Sequence, residues 1–411
     1  MRYLGPSVLL LLPFLASAAD FDVPAAPAPE APLWVSFAQA DTAKAGFPLS
    51  SPTMSDGKTA VYSVQPSMLP VLAEFMHAQF DRCGGFLAYR TKLEAQAAMK
   101  PAGARPRAAA YTLDQQATVA PLVAGVKEAN LRATISSLAA FNNRYYQSDT
   151  GVDAAKWVQA QWQAIASKVP GASVALVTHD GWKQPSVVLT IPGSEKPDEI
   201  VVLGGHLDSI NGWGNSSARA PGADDNASGI AVLTETARLL AAGGFRPKRT
   251  VQFMGYAAEE VGLRGSQDIA GRYAAAGKKV VGVIQYDMSN FKGSAEEIFF
   301  LTDNVDAELS EFTKKLVDAY VGVKWSTTEC GYGCSDHASW TKKGYPSAMA
   351  FESSFDGMNH SIHTAKDTLE TSGGDASHSV PFAKLAVAFA VELAKSSAGG
   401  GAFRAAGAPL K

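Results

Sequence analysis

Six apolar runs recur through most of this chain: SVVLTI (186–191), IVVLGG (200–205), TVQFMGY (250–256), VVGVIQY (280–286), IFFL (298–301) and SAMAF (347–351). Between them lie longer amphipathic stretches. One begins near Ser228 and carries Ile230, Leu233, Ala237 and Leu240 on a single helical face, the spacing of a helix laid on a sheet. Continuous apolar strands alternating with such helices predict an α/β domain, with a mostly parallel twisted central sheet flanked by helices.

The residues that follow the strands carry the chemistry. IVVLGG runs into His206, Leu207 and Asp208; TVQFMGY into Glu259 and Glu260; VVGVIQY into Asp287. The turn PGADDNASG (221–229), with Asp224 and Asp225 adjacent, opens the helix after the first of these strands. Ligands of parallel sheets bind at the carboxyl ends of strands, so these side chains should meet on one rim. Carboxylates gathered there raise one another's pKa and repel. No Lys or Arg adjoins them in sequence, whereas His206 and a later histidine supply nitrogen. Mixed carboxylate and imidazole ligation suits a zinc site with an open position.

The 411-residue chain has a formal net charge of −3, which gives no footing for nucleic acid. Residues 1–19 read as a signal peptide: Met1-Arg2, an apolar stretch from Val8 to Leu15, then the small residues Ala16-Ser17-Ala18-Ala19. That stretch is short of the roughly 20 residues of a membrane span and holds Pro13, so no membrane anchor is expected. A linker-like segment, Val23 to Pro32, precedes a small α/β unit with strands at Ala60–Val64 and Gly85–Tyr89 and a helix around Leu72–Phe80. A second linker, Lys100 to Ala110, carries Arg105 and Arg107. The expected organisation is signal peptide 1–19, propeptide 20–108 cut near those arginines, catalytic domain 109–396 and a flexible tail 397–411. Export makes cysteine pairing meaningful. Cys330 and Cys334 are close enough for a small disulfide loop, with half of a metal site as the other reading; Cys83 is left over.

GGHLDS, PGADDNASG, YAAEEVGLRGSQD, YDMSNFKGSA, CGYGCSDHASW and FESSF followed by IHTAKDTL occur in that order. Together they resemble the secreted bacterial leucyl aminopeptidases, a family of co-catalytic dizinc exopeptidases. The resemblance covers roughly Leu113 to Lys395 and implies two Zn2+ ions per chain. By it, Asp224 bridges the ions, His206 and Asp287 complete one, and Glu260 and His363 complete the other. His363, rather than His360, is the residue the motif selects. Glu259 stays off the metals as general base for a water bridged by them, and Tyr332 assists at the oxyanion. Asp208 orients His206, and Asp225 follows Asp224 through a cis peptide bond.

The same resemblance implies an apolar pocket of Met288, Phe351, Phe355 and Ile362, walled by a Cys330–Cys334 bridge, for leucine and other large apolar N-terminal residues. Met358 stands where the family often has an aromatic. Expected partners are peptides with a free N-terminus, the chain's own propeptide as inhibitor and folding aid, and a processing protease. The enzyme is expected to be a monomer, secreted and extracellular. Asn-x-Ser triplets occur at Asn215, Asn226 and Asn359. A glycan on Asn226 would obstruct the metal turn, which favours a bacterial source. Two related zinc enzymes are the nearest alternatives: a carboxypeptidase, whose lid domain has no room between Glu260 and Asp287, and a one-zinc glutaminyl cyclase. A silent binding domain of the same architecture is the third reading, disfavoured by the intact acid set.

Overall fold

The computed structural model describes residues 31–80, 82, 84–100, 103, 110–212 and 217–396. The signal peptide, most of the first linker, Cys83, Arg105, Arg107, Asn215 and the tail lie outside the described residues.

The N-terminal unit comprises β1 (Leu33–Ala38), β2 (Met54–Ser55), β3 (Thr59–Val64), α1 (Leu69–Phe80), β4 (Leu87–Tyr89) and α2 (Lys92–Ala98). Its strands form an antiparallel sheet in the order β2-β3-β1-β4. Leu69, Leu72, Ala73 and Met76 of α1 are buried, covering one face of that sheet.

The larger unit continues with α3 (Gln116–Val123), α4 (Glu128–Ala139), α5 (Asp149–Ala166), β5 (Ser173–Val177), β6 (Ser186–Ile191), β7 (Lys196–His206) and α6 (Ala227–Ala242). Next come β8 (Arg249–Tyr256), α7 (Arg264–Ala275), β9 (Lys279–Tyr286), β10 (Ile298–Leu301) and α8 (Ala307–Leu316). It ends with β11 (Trp325–Thr328), α9 (His337–Lys342), β12 (Ser347–Phe351) and α10 (Ser379–Ala394). Eight strands form one sheet in the order β11-β10-β12-β9-β7-β8-β6-β5.

The neighbours β12, β9, β7 and β8 run parallel. Their carboxyl ends therefore share one edge, which is where the chemistry-bearing residues follow. β6 runs antiparallel to β5 and β8, and β10 runs antiparallel to β12 but parallel to β11, which makes the sheet mixed at its flanks. Residues 192–195 between β6 and β7 are too few for the crossover that a parallel return requires.

Alternate residues of β7 face opposite layers, as the pleat dictates. Val201 and Leu203 join the core beneath α6 and α10, and Ile200 and Val202 join the one containing Ile269 and Trp340. The expected apolar face of α6 is buried, but so is nearly the whole helix, because α4 and α10 pack against it from outside the sheet.

Close approach at the centre depends on glycine. A Cβ on Gly204 would sit 2.5 Å from Gln285 Oε1 and 2.6 Å from the Tyr256 ring, and one on Gly229 would overlap the Tyr286 carbonyl. Gly229 thus lets the start of α6 rest directly on the end of β9. Gly229→Ala is expected to destabilise the chain by roughly 1–3 kcal/mol through overpacking, read as a lowered urea midpoint with unchanged slope.

Candidate metal centre

Two groups of buried side chains stand at the shared strand edge: His206, Asp225 and Asp287, and Asp225, Glu260 and His363. His206 Nε2 lies 2.9 Å from Asp225 Oδ1 and 3.2 Å from Asp287 Oδ1. On the other side, His363 Nε2 lies 2.6 Å from Glu260 Oε2 and 3.3 Å from Asp225 Oδ2. Each oxygen of Asp225 therefore faces a different group, so a single carboxylate joins the two.

This corrects the expectation for the acidic pair by one residue. Asp224 belongs to neither group. Its Oδ1 accepts the Asn290 amide at 2.9 Å and its Oδ2 accepts Asn359 Nδ2 at 3.3 Å, while Glu352 stands beside it. Burial raises the pKa of both Asp224 and Glu352; Asp224 lifts Glu352 further, whereas the hydrogen bond from Glu352 partly lowers Asp224, so the pair is suited to sharing a proton that rests on Glu352. The cis peptide bond likewise joins Asp225 to Asn226, not Asp224 to Asp225.

Local structure explains the choice. Asp367 Oδ1 and Oδ2 accept the Asp224 and Asp225 amides at 3.1 and 3.0 Å. Asn226 caps α6 by accepting from the Gly229 amide and donates from Nδ2 to the Tyr286 carbonyl. Asp225 is thereby held next to Asp287 and at the N-terminal end of α6, where a helix favours negative charge.

Asp208 stands against His206, as expected, and meets it chiefly through its backbone. Its carbonyl accepts from His206 Nδ1 at 3.1 Å, with its carboxylate farther off at 3.5 Å. The carboxylate instead accepts the Glu259 and Glu260 amides, at 3.0 and 3.1 Å. One residue thus orients the imidazole and fixes the backbone of both glutamates. Ala258, Met288 and His363 adopt left-handed φ near 56°, and such non-glycine outliers mark sites where surrounding structure enforces a conformation.

The electrostatics record how much negative charge converges. Burial opposes a proton on His363, yet Glu260 and Asp225 outweigh it and lift its pKa to about 10. Burial likewise opposes charge on His206, and Asp287 and Glu259 overcome it. Burial raises Glu260 to about 7, with Asp225 adding to the effect, and raises Glu259 well above its ordinary value.

The expected pocket residues Met288, Phe351, Phe355 and Ile362 cluster together with Cys330 and Cys334. The two cysteines are joined by a disulfide, which leaves no thiolates for the metal reading. Met358 joins the cluster, and Tyr332 borders it. Asp303 accepts the Cys330 and Gly331 amides at 3.1 Å each, and Asn304 donates to the Tyr332 carbonyl at 2.9 Å, anchoring this loop. His360 is exposed and points to the Asp356 carbonyl, away from both groups. Ser335, which donates to Asp287 at 2.5 Å, Asp367 and Glu352 were not anticipated from sequence. Glu352 was accessible by the strand-end rule, since it directly follows SAMAF.

A probable leucine aminopeptidase of Arthroderma benhamiae is 41% identical over 296 residues, spanning 71% of this chain and 80% of the relative. A family model described as peptidase family M28 matches residues 186–388. The chain belongs to peptidase family M28. Leucine aminopeptidase 1 of Arthroderma otae is 40% identical over 290 residues, covering 67% and 76% of the two chains. Among solved structures, the Legionella pneumophila LapA aminopeptidase aligns with a TM-score of 0.79 at 29% identity, over 90% of this chain and 100% of that one. A Porphyromonas gingivalis glutaminyl cyclase aligns with a TM-score of 0.52 at 17% identity, over 64% and 98%, a likeness of fold alone. The curated relatives are fungal, so the expected bacterial source gains no support from them.

Among the remaining histidines, His179, His337 and His378 are buried. Burial holds His337, at the start of α9, down to about 3 from an ordinary 6.5, with the Asp303 backbone only partly opposing. The folded chain then binds fewer protons than the unfolded one between these values. This contribution to stability is complete above the higher value and is lost as pH falls toward the lower, at roughly 1.4 kcal/mol per pH unit. Relative to the native chain, His337→Gln is expected to remove that slope in urea unfolding measured across the interval.

Proposed function

We propose that this M28 peptidase is a secreted aminopeptidase. In this reading it releases leucine and other large apolar N-terminal residues from peptides with a free amino terminus. It is made as a latent precursor and works as a monomer. The observation that carries the proposal is the Asp225 carboxylate, shared between two buried groups that each add one imidazole and one further carboxylate.

This donor set fits zinc, which favours nitrogen and carboxylate ligands in sites that keep an open position. His206 and Asp287 would hold one ion, Glu260 and His363 the other, with Asp225 spanning both. Bound zinc would supply a Lewis acid to polarise the scissile carbonyl and to acidify water.

The chain's own residues would do the rest. Glu259, buried and raised in pKa, would take a proton on its carboxylate from the attacking water and hand it to the departing amine. Asp208 holds Glu259 in place through its amide. Tyr332, bordering the pocket, would offer its hydroxyl to the developing oxyanion. Met288, Phe351, Phe355 and Ile362 would receive the first side chain. An apolar pocket gains only about 1–3 kcal/mol per methylene, so selectivity among large apolar residues should be broad.

The N-terminal unit supports latency. The His77 ring of α1 lies 4.8 Å from the His363 ring, and the Arg82 guanidinium sits 4.9 Å over Tyr332. β4 docks on the loop after Glu260: the Ala88 amide donates to the Gly262 carbonyl at 3.1 Å, and a Cβ on Gly262 would come within 2.8 Å of Ala88. Peptides would have to displace this unit, and a cut within 101–109 would free it.

The test is to nick the purified chain with trypsin, count zinc by elemental analysis, and assay leucine p-nitroanilide and an N-terminal glutamine peptide. The expected result is close to two zinc ions before and after nicking, with activity appearing on nicking. Glu259→Gln should keep the zinc and lose at least about 100-fold in turnover. Cyclisation of N-terminal glutamine with no release of leucine would contradict the proposal.

A further inference from the structure

Arg144, in the loop between α4 and α5, is buried beside the metal turn. Its Nε donates to the Leu207 carbonyl at 2.8 Å, Nη2 to Gly222 at 2.8 Å, and Nη1 to Pro221 at 2.5 Å and Leu138 at 3.3 Å. Among the described residues no carboxylate pairs with it directly. One planar cation therefore ties the carbonyl just after His206 to two carbonyls leading into Asp225.

Resting on the metal reading above, we infer that Arg144 is a positioning residue for the metal pair, setting the separation of His206 and Asp225 through backbone carbonyls. Three features converge on this role. Gly222 has φ of 53°, and a Cβ there would meet Arg144 Nη2 and the Ser209 Cβ, each at 2.6 Å; the turn is shaped to admit the guanidinium. Asp367 grips the amides of the same turn from the other side, so the segment is held between a guanidinium on its carbonyls and a carboxyl group on its amides. The Arg144 backbone is fixed in turn, its amide donating to Ser209 Oγ at 3.0 Å and its carbonyl accepting from Gln184 Nε2 at 3.0 Å.

Burying a guanidinium costs several kcal/mol unless its donors are satisfied. Here they meet carbonyls from three segments, and Asp367, Asp225, Asp208 and Glu260 surround the charge. Lysine would keep the charge but not the fork, because an ammonium is a point donor that cannot hold two strands of carbonyls in one plane.

The experiment measures zinc retention by the full chain in competition with a chromogenic chelator, for native protein, Arg144→Lys, Ser209→Ala and the core control Ile135→Val. Arg144→Lys is expected to weaken retention of zinc about 10- to 100-fold, the usual effect of losing a group that orients ligands. Ser209→Ala should weaken it less but in the same direction, and Ile135→Val not at all. After nicking, at saturating zinc, Arg144→Lys should lower kcat with little change in KM for leucine p-nitroanilide. A lower melting temperature with native zinc retention would mean a purely structural role and overturn the inference. Should Arg144→Lys fail to fold, Ser209→Ala decides, and native retention in that variant overturns it as well. Native protein that retains no zinc would sink the metal reading itself, and this inference with it.

Discussion

Everything at this site depends on keeping several carboxylates together inside a protein. Asp225, Glu259, Glu260 and Asp287 are all buried at one edge of the sheet, where each charge is costly and each raises the others' pKa. The fold gathers them because β12, β9, β7 and β8 are parallel neighbours whose following loops have only that edge to occupy. Parallel pairing is thus the first cause of the site.

Compensation is the second. Two imidazoles take direct positions among the acids, and the Arg144 guanidinium lies behind the turn on its carbonyls. The N-terminal end of α6 faces the same turn, and Asp224 and Glu352 are paired so that a proton can serve both. Backbone amides donate to the Asp208 and Asp367 carboxyl groups and fix the two loops that carry Asp225, Glu259 and Glu260. In this arrangement the same contacts that make the charge tolerable also set the geometry.

Much of this was legible in the sequence for one reason. Apolar runs ending in His, Glu-Glu or Asp announce both the parallel sheet and the edge where its ligands meet, and the later motifs matched the family order. What stayed hidden depends on direction rather than composition. Asp224 and Asp225 are identical residues in one turn, and the choice between them is made by distant partners, Asp367, Asn290 and Glu352. Likewise Asp208 reads as a partner of His206 from its spacing, yet its carboxylate spends its hydrogen bonds on Glu259 and Glu260. Arg144 sits in NNRYY, a stretch with no pattern that separates a buried clamp from a solvated arginine. The antiparallel direction of β10 was not foreseen either, because a run such as IFFL has the same composition in either orientation.

On the proposed function, Asp225 is the carboxylate that a metal pair would share. Anomalous diffraction at the zinc absorption edge, from crystals of the zinc-loaded protein, tests it directly. Two anomalous peaks are expected, one beside each Asp225 oxygen, the first among His206 and Asp287 and the second among Glu260 and His363. A single peak, or a pair bridged by Asp224, would contradict it.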